Sequence, residues 1–550
     1  MWGRGTKIWQ QSDSQQRTGP EPLKECLPGV LMHFPSSLKL LSLFSCSGFI
    51  GMEGSQEMKK RGNDLFKQKD YEGAVEAYTK AIQFCPEGEA NHLSLCYQNR
   101  AAANERLGNL ERVIEDCSTA LSLNLFYQKA AVRRGRAYVR LGELENALDD
   151  FTYAFVLDAN AVDHFAADTD KVVTELCDTF INDLEKTRRG IPIRDEQVLL
   201  WQSCYVNDSV LSDLKKDFDV KSCYGKVLQA IKDHRYEEVI GLLENDIDSG
   251  LNDASESLRN YILLTRFALM KEDLDTMRKY LDRFAKLWAA LDEEVKNDPV
   301  TKHYRAMYYL LSAALKLLVN PPLLNQDIQK AVEADRDNVD VYLSAAMLLS
   351  ESGQFDLALE YLEQLSKINP KHHLVNHMKI NFDLAMKASA GDVAGTFNAV
   401  LRADELLKAN PDADPVLHLI TGRLYFAAQN VELAKAAFKK AAEGLPEYSA
   451  PIFYLAMVEV EEAEDPERVQ ALEEKMKLCL EKEKANPDAL NILARIACQR
   501  NDYAEAKRLF EQSIKVCPLR SNKAAMQRTV IDYLQARAMC KAQERLKVHD

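Results

Sequence analysis

From Ser55 onward, small and large apolar residues recur at helical spacing within a period of about 34 residues. In the first unit, beginning at Ser55, the residues Gly62, Leu65, Ala74, Tyr78, Ala81 and Pro86 fall at positions 8, 11, 20, 24, 27 and 32. The pattern predicts two antiparallel helices. Small residues at 8, 20 and 27 let the helices approach closely, an aromatic fills the gap, and proline ends the second helix. A second unit beginning at Ser94 puts Ala101, Val113, Cys117 and Ala120 in the same slots, and a third from Gln128 puts Gly135, Ala147, Phe151 and Ala154 there. Clean units return in the C-terminal half. They start at Val339 (Ala346, Ala358, Pro370), at Pro415 (Gly422, Tyr425, Ala434, Phe438, Ala441, Pro446) and at Pro487 (Ala494, Ala506, Phe510, Pro518).

This period and these residues are those of tetratricopeptide hairpins, so the expected fold is all-α, a helical-hairpin solenoid in two parts with about ten or eleven hairpins. Residues 53–160 form the N-terminal array of three repeats, and 223–550 the larger C-terminal array. Between them, 161–222 loses the register and carries Arg188-Arg189-Gly190-Ile191-Pro192, then Trp201, Tyr205 and Asp208; it is expected to connect the arrays. Beyond Cys223, the stretches 233–236 (Asp-His-Arg-Tyr) and 271–274 (Lys-Glu-Asp-Leu) resemble hairpin turns, and 371–411 and 449–486 read as units with longer turns.

Residues 1–52 stand apart, rich in Gly, Ser, Gln and Pro and ending in the apolar run Leu38–Met52. A bilayer span needs about 20 predominantly apolar residues, and extending the run backward brings in His33, Pro35 and Lys39. Two expectations stand side by side: a degenerate membrane anchor, or a disordered or untranslated leader with Met52 as the start.

Composition narrows the chemistry. Only 22 Gly and 17 Pro in 550 residues fit helices better than a turn-rich β fold. A formal net charge of −14 argues against nucleic acid as the main ligand, although a local basic groove remains compatible with it. The 12 cysteines are scattered without metal-ligand spacing and read as reduced thiols; Cys479, Cys498 and Cys517, at 19-residue intervals, read as packing residues. His373 and His377 are four apart, yet no Glu of a zinc-protease motif lies between them. Neither a phosphate-cradling glycine loop nor a nucleophile elbow is present, and 161–222 is too short and unpatterned for a catalytic module. No enzyme activity, metal or cofactor is expected. The acidic run 459–465 reads as a solvated turn, with attraction of basic targeting helices as the sharper alternative.

The candidate site lies in the first three repeats. The first helix of each hairpin lines the concave face, and positions 2, 5, 6 and 9 of it share one stripe. Lys59 and Asn63 occupy positions 5 and 9 of the first repeat, Asn99 position 6 of the second, and Lys129 and Arg133 positions 2 and 6 of the third. Two ammonium groups, a guanidinium and two amides around one groove match a peptide's C-terminal carboxylate together with a nearby Asp. The run Lys129–Arg140, with Arg133, Arg134 and Arg136 and no acidic residue in it, strengthens this reading.

The segments 60–63 (Lys-Arg-Gly-Asn), 97–103 (Tyr-Gln-Asn-Arg-Ala-Ala-Ala) and 129–134 (Lys-Ala-Ala-Val-Arg-Arg) resemble the dicarboxylate-clamp repeats that grip the acidic C-terminal tails of the seventy- and ninety-kilodalton heat-shock chaperones. With Glu115-Asp116-Cys117 and the long second array, the chain is further similar to the seventy-kilodalton import receptors of the mitochondrial outer-membrane translocase. That resemblance implies a cytosol-facing receptor on the mitochondrial outer membrane. Its first repeats dock chaperones, its second array binds mitochondrial precursor proteins, and it passes them to translocase subunits. A soluble co-chaperone bridging two chaperones is the alternative.

Overall fold

A computed structural model describes residues 38–319, 324–372, 374–409, 413–460 and 466–547. All regular structure among them is helical. The chain divides into two compact units, one running to Asp183 and taking in the C-terminal stretch from Val530, the other Leu184–Thr529.

The first unit holds three hairpins: α1 (Leu38–Lys67) with α2 (Tyr71–Phe84), α3 (Ala90–Leu107) with α4 (Leu110–Leu123), and α5 (Gln128–Leu141) with α6 (Leu144–Leu157). The repeat positions read from the sequence are the contacts that join them. A Cβ on Gly62 would come 2.6 Å from the Tyr78 ring, and one on Gly135 would come 2.8 Å from Phe151. In the second hairpin the corresponding slots hold Ala101 and Cys117, both fully buried. α1 extends the first repeat helix back to Leu38, so the backbone of the apolar run Leu38–Met52 continues into it; residues 1–37 lie outside the described residues. Among the described residues, no helix is long and apolar enough to cross a membrane.

After a short 3₁₀ turn, α7 (Ala166–Thr187) follows. The stretch from Val530 belongs to the helix Lys523–Lys547 and sets a basic row on the acidic side of α6: Arg537 meets Glu145 at 3.0 Å, Lys541 meets Asp149 at 2.7 Å and Arg545 meets Asp150 at 3.0 Å. Tyr533 packs on Phe180 of α7.

The second unit contains eight further hairpins, making eleven among the described residues. Nine of the eleven turns share one device. A residue with positive φ sits two places before the second helix at Lys69, Gly108, Gly142, His234, Glu272, Gly353, Gly391, Gln429 and Asn501, a conformation that ends one helix and reverses the chain. The stretches 233–236 and 271–274 are turns of this kind. The unit 371–411 has the same short turn at Gly391 and not the longer one expected; without the small-residue signature its register was hidden. His373 and residues 461–465 of the acidic run lie outside the described residues, while His377 is buried in the helix Val375–Ser389.

Residues 161–222 are mainly helical. Beyond α7 they form α8 (Asp195–Cys204) and α9 (Ser209–Leu214). Trp201, Tyr205 and Asp208 are interior anchors: Asp208 accepts from Trp201 Nε1 at 3.2 Å and pairs with Arg266, whose guanidinium lies over both the Trp201 and Tyr205 rings. Burial pushes the Asp208 carboxyl up, but the Arg266 charge and the Arg266 and Trp201 hydrogen bonds hold it below its ordinary value.

The second unit also closes on itself. Arg194 is ringed by Glu483 (3.3 Å), Glu196 (3.6 Å) and Asp488 (3.6 Å), and Glu272 accepts backbone N–H groups from Leu519, Arg520 and Ser521 at 2.8–3.2 Å. Cys479 and Cys517 are buried, and burial pushes their thiols up to about 12 and about 11, which suits packing residues and not nucleophiles.

Candidate functional site

α1, α3 and α5 are the first helices of successive hairpins, and all five predicted residues lie on them. Lys59 and Asn63 sit one turn apart on α1, Asn99 on α3, and Lys129 and Arg133 one turn apart on α5.

Asn63 is the most tightly organised. Its Oδ1 accepts from the Tyr78 hydroxyl at 2.8 Å and from Asn99 Nδ2 at 3.2 Å. Two donors fill the two lone pairs of that oxygen, which orients the amide so that its Nδ2 hydrogens stay unspent. Tyr78 is also the ring packed on Gly62, so the repeat's core contact sets the orientation of a candidate ligand-binding amide. Burial pushes the Tyr78 phenol up to about 12, so it remains a donor at all physiological pH.

Each cation has a different setting. Lys59 Nζ lies 3.3 Å from His92 Nδ1. Lys129 is exposed and makes no hydrogen bond or ion pair among the described residues. Arg133 donates through Nε to Glu105 of α3 at 2.9 Å, while its Nη1 is buried without a partner. An unpaired guanidinium nitrogen withdrawn from water is a standing cost that an incoming carboxylate would relieve. The structure thus joins Asn63 to Asn99 directly and bonds Lys59, Lys129 and Arg133 to none of the other four.

The run Lys129–Arg140 is not a row of free cations. Arg134 donates to both Asp150 oxygens at 2.7 Å and to Ser118 at 2.8 Å; Arg136 pairs with Asp168 at 2.8 Å and donates to the His164 carbonyl. With Arg133 on Glu105, only Lys129 and Arg140 in that run are without a partner among the described residues. Acidic groups on α3, α6 and α7 supply what the local sequence lacks. Arg100 repeats the Arg134 arrangement one period earlier, gripping Asp116 at 2.7 and 3.0 Å and Thr79 at 3.2 Å. Burial pulls the Arg134 guanidinium down, yet Asp150 outweighs it and keeps the group firmly charged. The two carboxylate pairs tie the helices of one hairpin to each other, and the Thr79 and Ser118 bonds reach back to the hairpin before.

Sequence reasoning missed Tyr78 as an orienting donor, His92 as a partner of Lys59, and Glu105 as a counter-charge. Tyr78 was legible only as a core position, His92 falls between the units read from the sequence, and Glu105 carries no local signal, being 28 residues from Arg133.

Models of the tetratricopeptide repeat match residues 56–87 and 339–372. The mitochondrial import receptor subunit TOM70 of Homo sapiens is 27% identical over 377 residues, covering 66% of this chain and 60% of the relative. The chain is a homologue of TOM70. It spans about 60% of the length of that relative and of its Rattus norvegicus counterpart. The Hsp70/Hsp90 co-chaperone CNS1 of Saccharomyces cerevisiae is 39% identical over 102 residues, 18% of this chain and 26% of CNS1. Among solved structures, the yeast Tom70 crystal structure aligns over 88% of this chain and 96% of that one, at 16% identity and a TM-score of 0.46. The described fold of this TOM70 homologue is the tetratricopeptide solenoid expected from its repeats.

Proposed function

We propose that the first three hairpins dock the acidic C-terminal tails of seventy- and ninety-kilodalton heat-shock chaperones, and that the repeats of residues 223–550 bind the mitochondrial precursor the chaperone carries. On this reading the chain is an import receptor at the mitochondrial outer membrane, facing the cytosol, which hands precursors to the outer-membrane translocase. Binding and release suffice for that role, and no catalytic step is assigned.

The observation that carries the reading is the unspent donor set on α1, α3 and α5: the Asn63 Nδ2 hydrogens, the free Lys129 ammonium and the unpartnered Arg133 Nη1, beside Lys59 and Asn99. Three or four charge-assisted bonds, less the entropy of association, correspond to micromolar affinity, about 8 kcal/mol. The TOM70 relatives are named as mitochondrial import receptor subunits, which supports a role in mitochondrial import. The 39% identity to CNS1 favours a second reading, a soluble co-chaperone bridging the same chaperones.

Expression of the full chain and of its Lys129→Ala/Arg133→Ala form, followed by capture from cytosol and alkaline carbonate extraction of mitochondria, tests both. The receptor reading expects chaperone capture lost in the variant and the wild-type chain retained in the mitochondrial membrane pellet. Capture unchanged by the substitutions contradicts the clamp, and full release into the soluble fraction selects the co-chaperone.

A further inference from the structure

We propose that His92 is a positioning residue of the clamp: a neutral imidazole whose Nδ1 accepts a hydrogen bond from the Lys59 ammonium and so aims the first cation of the site. The inference rests on the docking reading above and adds to it which group controls Lys59.

The tautomer follows from a chain of three contacts. Ser55 Oγ lies 2.6 Å from the Ala81 carbonyl, which can only accept, so the hydroxyl proton is committed there. Ser55 Oγ is also 2.9 Å from His92 Nε2 and is left as an acceptor, so Nε2 carries the ring proton. Nδ1 therefore presents a lone pair, and Lys59 Nζ stands 3.3 Å from it. Ser55 is fully buried and His92 only 7% exposed, so water does not compete for these bonds. A lysine ammonium has three N–H donors. One is spent on the imidazole, and two remain for a ligand.

The bland alternative is a satisfied core histidine that merely ties α1 to α3. Two features separate the readings. Arg133 is held by a carboxylate, which offsets part of its charge, whereas Lys59 is held by a neutral acceptor that orients the ammonium without cancelling it. Burial and the neighbouring ammonium also keep the imidazole neutral. Lys59 faces it from α1, Glu89 from the start of α3, and the thiols of Cys85 and Cys96 line the same cluster. Burial first, and then Lys59, push the His92 pKa below its ordinary value against the smaller opposing pull of Glu89. The thiols stay protonated, Cys96 being pushed up to about 11, and add no charge. Protonation of His92 would turn Nδ1 into a donor facing an ammonium, replacing a hydrogen bond by a like-charge contact.

The test uses the full chain and a fluorescent peptide ending in aspartate with a free C-terminus, titrated by anisotropy from pH 5.5 to 8, where the peptide carboxylates stay ionised. Wild-type affinity is expected to be flat near neutrality and to weaken toward the acid end. His92→Phe, which keeps a ring but removes the acceptor, should bind about tenfold more weakly at pH 7.5 with no acid-side loss. His92→Asn, whose Oδ1 replaces Nδ1 without titrating, should recover most of the affinity and keep a flat profile. If Lys59→Ala weakens binding but His92→Phe does not, the positioning role is overturned while the docking reading stands. If Lys59→Ala leaves binding unchanged, the docking reading itself falls and takes this role with it. Imidazole ¹⁵N shifts are independent of the peptide: an Nε2–H tautomer is expected, and an Nδ1–H tautomer overturns the assignment whatever the binding data show.

Discussion

Replacing Asp150 with Ala removes the carboxylate that holds Arg134 through two bonds of 2.7 Å and also receives Arg545 at 3.0 Å. The Asp150 side chain is 1% exposed and that of Arg134 14%, so the guanidinium left behind cannot recover its hydration. Breaking one side of such a buried pair costs about 3–5 kcal/mol, a fall in melting temperature on the order of 10 °C for a unit of this size. The cost should grade with burial along the same helices. Asp116→Ala, whose partner Arg100 is 22% exposed, should lose somewhat less, and Glu115→Ala, from a pair 73% and 65% exposed, under about 0.5 kcal/mol. Thermal unfolding of the full chain followed by far-ultraviolet circular dichroism measures all three. The double change Arg134→Met/Asp150→Leu should recover most of the loss, because it removes both charges from the interior. Equal, small effects from Asp150→Ala and Glu115→Ala would refute the assignment of Arg134 as a structural tie, and would return it to the candidate ligand-binding cations.

Three other outcomes follow from the same geometry. Gly135→Ala should cost about 1 kcal/mol, since a Cβ 2.8 Å from Phe151 overpacks the hairpin by more than the gain of about 1 kcal/mol in helix propensity; Phe151→Leu in the same chain should relieve it in denaturant titrations. Glu105→Gln frees Arg133 from its counter-charge and should tighten binding of an acidic-tailed peptide on the order of threefold at low salt, with the gain shrinking as salt is added in calorimetry. Asp208 is held below its ordinary pKa in the folded chain, so its contribution to stability is fully present above the unfolded value of about 3.9 and is lost as pH falls through the lower, folded value. Acid titration monitored by Trp201 fluorescence should show that loss beginning below about pH 4, and Asp208→Asn should abolish that part of it.

Much of the fold was legible because tetratricopeptide packing writes itself into residue size. Gly62 against Tyr78, Gly135 against Phe151 and Gly422 against Phe438 are contacts in which a single methyl group would collide, so the small residue and the ring must keep their places in the period. The turns at 233–236 and 271–274 were read by their resemblance to hairpin turns, and each places a left-handed residue, His234 or Glu272, two places before its second helix. The five candidate site residues were found by register alone, and their helices are where the register put them. Partners supplied from elsewhere in the fold were hidden. Arg134 looked like one of a row of free cations until α6 brought Asp150 to it, and Trp201, Tyr205 and Asp208 looked like linker residues because Arg266, which organises them, is 58 residues beyond Asp208. Periodicity reports which face a residue occupies, and it carries no information on which charge waits opposite.

The central claim is that Lys59, Asn63, Asn99, Lys129 and Arg133 grip a peptide's terminal carboxylate, and isothermal titration calorimetry with a pair of peptides differing only at that carboxylate tests it most directly. The free-acid peptide ending in aspartate should bind the full chain with micromolar affinity. Amidation of its terminus, or Arg133→Ala in the protein, should each weaken binding by about tenfold or more, and the two changes together should cost less than the sum of their separate effects because they remove the same contact. Equal affinity for the acid and the amide would contradict the clamp.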